Sequence, residues 1–156
     1  MKALVYIDAF APDQGESALQ LTGAQPGSVL AVADPSTVFN FVQYPGAPTG
    51  DVDTYIKPEL YGSFFAAHLP ADLGNALAAD QRPVTLSALS AASSVPAWKT
   101  IKSYFFVGTD DKIIPPAEQL IMAARANGTV VKAPADHLAM LEQPTIITNL
   151  IEHASK

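Results

Sequence analysis

The sequence predicts an α/β fold: a parallel sheet of about three strands with flanking helices, carrying a mainly helical cap. Three observations predict it. Residues 103–108, SYFFVG, are apolar and aromatic and run into two acids, Asp110 and Asp111. That is the form of a buried parallel strand delivering a carboxylate into the loop at its C-terminal end. Residues 129–132 are a second short β-branched run, and Asp136-His137 follows in the equivalent loop. Between them, residues 116–126 have helical spacing, with Leu120, Ile121 and Ala124 on one face. Strand, helix, strand is the unit of a doubly wound sheet, and chemistry in such sheets sits outside the C-terminal strand ends. An acid on one loop and a histidine on the next invite a triad reading, in which the acid orients an imidazole that takes a proton from a nucleophile.

The remaining elements follow in chain order. Residues 2–10 are apolar, with β-branched and aromatic residues, and read as a strand buried on both faces. Residues 11–15, APDQG, are a turn cluster, and residues 16–21 suit a short helix. Residues 23–58 are rich in Gly, Pro, Thr and Asp but hold Phe39, Phe41, Tyr44 and Tyr55. The segment therefore reads as an irregular excursion that packs on something, with room for a strand pair near residues 38–43. Residues 59–67 have helical spacing; Pro70 then opens a second helix, ADLGNALAAD, as proline does at a first helical position. Residues 84–91 suit one more short helix, and residues 93–99 lead into the strand at Ser103. Asn127-Gly128 closes the helix at 116–126. A final helix spans 138–153, interrupted by Pro144. The order divides the chain into a core of residues 1–15 and 99–156 and a cap or lid insertion of residues 16–98.

Composition sets bounds. The chain has 156 residues, one ordinary domain, and 49% of them are hydrophobic, enough for a sizeable core. Nine basic against fifteen acidic residues give a net charge of −6, with no basic stripe, which argues against nucleic acid as a partner. There is no cysteine, so disulfides, thiolate nucleophiles and cysteine metal sites are excluded. No apolar run reaches the roughly 20 residues of a membrane span. The first residues read as a strand, not a signal peptide. A cytoplasmic location, no membrane contact and no metal or organic cofactor are the expectations.

The segments LVYIDAFAPDQGES, FFAAHLP, ALAADQRP, PAWKTIKSYFFVGTDDKIIPP and VVKAPADHLAMLEQP carry a family likeness. The chain resembles the C-terminal part of an α/β-hydrolase, in the branch of plant methylesterases, hydroxynitrile lyases and their bacterial relatives. The family pattern Gly-x-x-Asp-x-x-x-Pro is met by Gly108, Asp111 and Pro115, so the resemblance puts the triad acid at Asp111. It puts the base at His137. It implies hydrolysis of a small apolar ester, or hydroxynitrile cleavage on the same scaffold. The family's nucleophile elbow, Gly-x-Ser-x-Gly, occurs nowhere in these residues. The resemblance thus implies a chain that corresponds to the rear half of the fold, carries acid and base only, and has little activity alone. Its expected partners are a missing N-terminal half or a second copy of itself. The alternative is a non-catalytic binding or self-associating module derived from a hydrolase.

Each candidate has a plainer role beside the functional one. Asp111 is the triad acid or the N-cap of the following helix. His137 is the general base or a histidine at the start of the last helix; imidazole titrates close enough to neutrality to accept and return a proton. Phe64, Phe65 and Trp98 line a substrate pocket or simply fill the cap's core. His68 and His153 read as packing or surface residues, and the three histidines lack the spacing of a metal site. None of the serines has the two flanking glycines of an elbow.

Overall fold

The computed structural model describes residues 1–156. Its central sheet has three parallel strands in the order β1-β5-β6: β1 is Leu4–Ile7, β5 is Ser103–Gly108 and β6 is Thr129–Ala133. β5 is the central strand and all six of its residues are buried. Its side chains alternate as a pleat requires. Phe105 and Val107 enter one core with Met122 and Ala123 of helix α5, Pro116–Arg125; Tyr104 and Phe106 enter the other with Ile147, Leu150 and Ala154 of helix α7, Pro144–Ser155. The sheet is thus covered by helices on both faces, as parallel strands demand.

Two neighbours of β5 fall short of the expectation of full burial. The four residues of β1 are all half-buried and the strand is shorter than residues 2–10. It pairs with β5 on one side only, so its outer edge lies open. Most of β6 is exposed for the same reason. Tyr6 nonetheless stacks on Phe105, ring centroids 4.6 Å apart. Gly128, between α5 and β6, cannot carry a side chain, since an added Cβ would stand 2.5 Å from the Phe105 ring.

The cap follows β1. Helix α1, Ala18–Thr22, starts on a reciprocal Ser17–Gln20 capping box. β2 (Phe39–Val42), β3 (Asp53–Ile56) and β4 (Val84–Thr85) then form an antiparallel sheet in that order. Helices α2 (Pro58–Phe65) and α3 (Ala71–Asp80) pack on each other beside it, with Gly74 close to Gly62. The region therefore joins its helices to a small sheet; residues 38–43, where a strand pair was expected, supply one strand only, and its partner lies at Asp53–Ile56. The short helix expected over 84–91 is confined to α4, Leu86–Ser90, because Val84 and Thr85 pair with β3. Asp51 fastens this corner: its carboxylate accepts from Ser87 N–H and Oγ–H, Tyr44 Oη–H and Val52 N–H. The last helical segment is split at Pro144 into α6, Ala139–Glu142, and α7. No helix is long and apolar enough to cross a membrane.

Candidate active site

The site is assembled at the C-terminal ends of the three parallel strands. Gly108 ends β5 because a side chain has no room there: a Cβ would lie 2.6 Å from Ala135 O and 3.0 Å from Asp8 Oδ2. The chain then turns, and Thr109 and Asp110 donate their N–H groups to Ala133 O and Ala135 O, tying the ends of β5 and β6 together. That tie brings the two predicted residues into contact. His137 Nδ1 lies 3.0 Å from Asp111 Oδ2.

Asp111 is 3% exposed and every lone-pair direction of its carboxylate is occupied. Oδ1 accepts from Ile113 N–H at 2.8 Å and Ile114 N–H at 3.1 Å. Oδ2 accepts from Gln119 Nε2–H at 2.8 Å and from the imidazole. Gln119 is itself fixed by a second bond, from Nε2–H to Ile114 O. Four donors thus converge on one buried carboxyl. With Asp111 as a carboxylate, which only accepts, the contact takes the form of Nδ1–H donating to Oδ2. The Oδ1 bonds close the turn before α5, but Asp111 lies too early to be the helix N-cap, a position held by Pro115 with no side-chain cap bond. Phe65 stands edge-on to the His137 ring, centroids 5.2 Å apart.

A second carboxyl lies beside this pair. Asp8 follows β1 with φ 42°, in the left-handed region, and is 3% exposed. Its Oδ1 accepts Gly108 N–H at 2.6 Å, while its Oδ2 is buried with no partner. Burial, less the help of Gly108 N–H and with the Asp111 charge nearby, pushes its pKa up to about 7. Asp8 and Gln119 escaped the sequence reading. Asp8 shows the same signal as Asp111, an acid ending an apolar strand; Gln119 shows none.

The proposed pocket residues separate. Phe65 lines a cavity of about 660 Å³ between cap and core, with Phe10, Leu30, Phe39, Ile56 and Tyr61. Phe64 packs instead against the α5-side core. Trp98 is buried elsewhere, donating Nε1–H to Pro12 O, and borders a shallow depression with Lys99, Lys102 and Arg125. Its ring serves as a platform for Lys99 and Arg125, so its apolar surface is used before any ligand arrives. His68, Asp136 and Glu142 bring three potential ligand atoms within 4.8 Å of one another. All are engaged in hydrogen bonds among themselves or with backbone N–H groups, which makes the group a hydrogen-bonded clasp in place of a cation site.

A parallel sheet with a cap after its first strand, and an acid and a histidine on consecutive strand-end loops, defines a chain of the α/β-hydrolase class. The chain belongs to the alpha/beta hydrolase family, whose sequence profile matches residues 1–148. The fold is similar to that of polyneuridine aldehyde esterase, with TM-score 0.73 and 19% identity over 99% of this chain and 62% of that one. It is similar to a methylesterase protein, MES16, from Arabidopsis, with TM-score 0.68 and 15% identity over 99% and 59%. A pyrethroid hydrolase from Sphingobium faniae JZ-2 gives TM-score 0.63 and 15% identity over 98% and 60%. The chain thus spans about 60% of the length of these structures. Identities this low establish the fold alone. The sequence matches no curated protein.

Proposed function

We propose that this chain carries the acid, Asp111, and the general base, His137, of a serine-type ester hydrolase, together with the apolar wall of its substrate cavity. The observation that carries this reading is the 3.0 Å bond from His137 Nδ1–H to a buried carboxylate held by three other donors. In that arrangement Nε2 takes the proton of a hydroxyl nucleophile as it attacks the ester carbonyl, and returns it to the leaving alcohol. Asp111 holds the tautomer and stabilises the imidazolium. The cavity of about 660 Å³ is of a size for a small organic ligand and meets the imidazole through Phe65, which favours an ester with one apolar group. The nucleophile and oxyanion donors come from outside these residues, a reading supported by the lack of a Gly-x-Ser-x-Gly motif among them. Acid and base without those groups lack the largest sources of acceleration, so the chain alone turns over esters near the background rate.

The test is intact-mass spectrometry after treatment with a fluorophosphonate, which labels activated serines, beside hydrolysis of p-nitrophenyl esters. The expected result is no adduct and no difference between wild type and His137→Ala. An adduct mapped to one serine, or activity lost in His137→Ala, overturns the assignment of an outside nucleophile. A second reading, a self-associating binding module, is favoured by the open edge of β1. It requires a second copy paired across a two-fold axis. Sedimentation equilibrium giving a dimer supports it, and a monomer counts against it.

A further inference from the structure

The residues on both sides of His137 are gripped by the end of the cap. On one side, Leu138 N–H donates to Phe65 O, the last residue of α2, at 3.3 Å. On the other, Asp136 Oδ2 accepts His68 N–H at 2.9 Å. The His68 ring closes the grip: Nδ1 lies 2.9 Å from Glu142 Oε2 and 3.9 Å from Asp136 Oδ2. Glu142, at the end of α6, turns back so that its carboxylate accepts Asp136 N–H at 3.2 and 3.3 Å. Asp136 is buried and Glu142 half-buried, with side chains 2% and 8% exposed, and His68 is the one basic side chain within ion-pair distance of either. Two carboxylates taken out of water beside each other need a positive partner, and imidazolium supplies it.

We propose that His68 and Glu142 are positioning residues: with Asp136 they form a clasp, closed while His68 is protonated, that holds the cap against the His137 loop and fixes the imidazole relative to the cavity. The catalytic consequence rests on His137 being the base, but the clasp itself does not. The groups facing His68 are Glu142 from α6, Asp136 from the β6–α6 loop and Asp110 from the β5–α5 loop, all acidic. The hydrogen bond to Glu142 leads in raising the His68 pKa above its ordinary value; burial opposes it, and the three charges add to it. The clasp is therefore complete below the ordinary histidine value and loosens as pH rises through the raised one. His68 is 46% exposed, so water and salt weaken the pair.

The chain has three histidines, so long-range ¹H–¹⁵N spectra of the imidazoles can be followed individually from pH 5 to 9, with His153 as internal reference. The expected result is a His68 midpoint above about 6.5. The His137 ring signals and the exchange rate of the Leu138 amide should show an inflection at that same midpoint. Glu142→Gln lowers the His68 midpoint and speeds Leu138 exchange about tenfold at pH 6, leaving His153 unmoved. His68→Asn keeps a donor without a charge and removes the inflection from His137. A His68 midpoint at the ordinary value, or a raised one with no echo at His137 and Leu138, overturns the proposal. The wild-type titration decides this by itself if a variant fails to fold. A fluorophosphonate adduct would overturn the outside nucleophile of the proposed function while leaving this result untouched.

Discussion

Asp8 and Asp111 stand at the C-terminal ends of neighbouring strands, and both are 3% exposed. Their surroundings differ in one respect, the supply of hydrogen-bond donors. Asp111 receives two backbone N–H groups, the Gln119 amide and the imidazole. Asp8 receives one N–H and leaves Oδ2 without a partner. Burial costs a carboxyl its charge and each donor offsets part of that cost, so Asp8 has the smaller compensation. Asp111 can remain an acceptor for His137, while Asp8 holds its proton close to neutrality.

The largest effect should come from Asp8→Asn. In the folded chain the Asp8 pKa is about 7, against an ordinary 3.8. Between those values the folded state retains a proton that the unfolded chain has released. Its contribution is complete below 3.8 and is lost as pH rises to about 7. Asparagine keeps an acceptor for Gly108 N–H, tolerates the left-handed backbone and carries no charge. Urea unfolding at pH 8 should show the variant more stable by up to about 4 kcal/mol, and the difference should shrink towards pH 4. A pH-independent difference would mean that Asp8 is ionised in the fold and that donors do not distinguish the two acids.

Asp111→Asn attacks the other member. Oδ1 can still accept from Ile113 and Ile114, but the new NH₂ faces the Gln119 amide and the imidazole, both donors. A loss of about 3 kcal/mol is expected in urea unfolding from the unmade bonds. The ¹⁵N shifts should show His137 switching its proton from Nδ1 to Nε2, the tautomer that is useless as a base. Gln119→Leu removes one donor and leaves the carboxylate in place. It should cost about 1–2 kcal/mol, with the His137 tautomer unchanged. If Gln119→Leu cost nothing, the count of donors would not be what separates Asp111 from Asp8.

These contrasts also mark what was legible in the sequence. β5, β6 and α5 follow from local pattern, because an apolar run, its loop and the next helix are contiguous; the choice of Asp111 over Asp110 comes from the family resemblance. Gln119 reaches Asp111 only once the Pro115-Pro116 turn starts α5 with the right face inward, and no residue type signals that. Asp8 carried the same signal as Asp111, but the number of donors a carboxyl meets depends on how the loops close. In the cap, β4 needs Val84 to find Thr54 across two helices, a pairing between segments far apart in sequence. The family pattern could mark Phe65 and Trp98 as apolar, but not which side of the cap each would face. The His68–Glu142 contact joins two regions that were read separately, one as packing or surface and one as helix.

The smallest effect concerns a third carboxyl, and it tests whether donor supply matters only when water is excluded. Glu16 and Arg125 form a two-pronged ion pair near the end of α5, and Arg125 also donates to Ala11 O. The Arg125 hydrogen bonds hold the Glu16 pKa below its ordinary value. Here the side chains are 32% and 24% exposed, so water can replace whatever is removed. Arg125→Lys gives up the paired geometry but keeps the charge, and should cost less than about 1 kcal/mol. The cost should shrink further in 1 M salt, measured by urea unfolding at both ionic strengths. A loss as large as that of Gln119→Leu, insensitive to salt, would show that donors govern exposed and buried carboxylates equally. The exclusion of water would then not be what makes the donor count matter at Asp8 and Asp111.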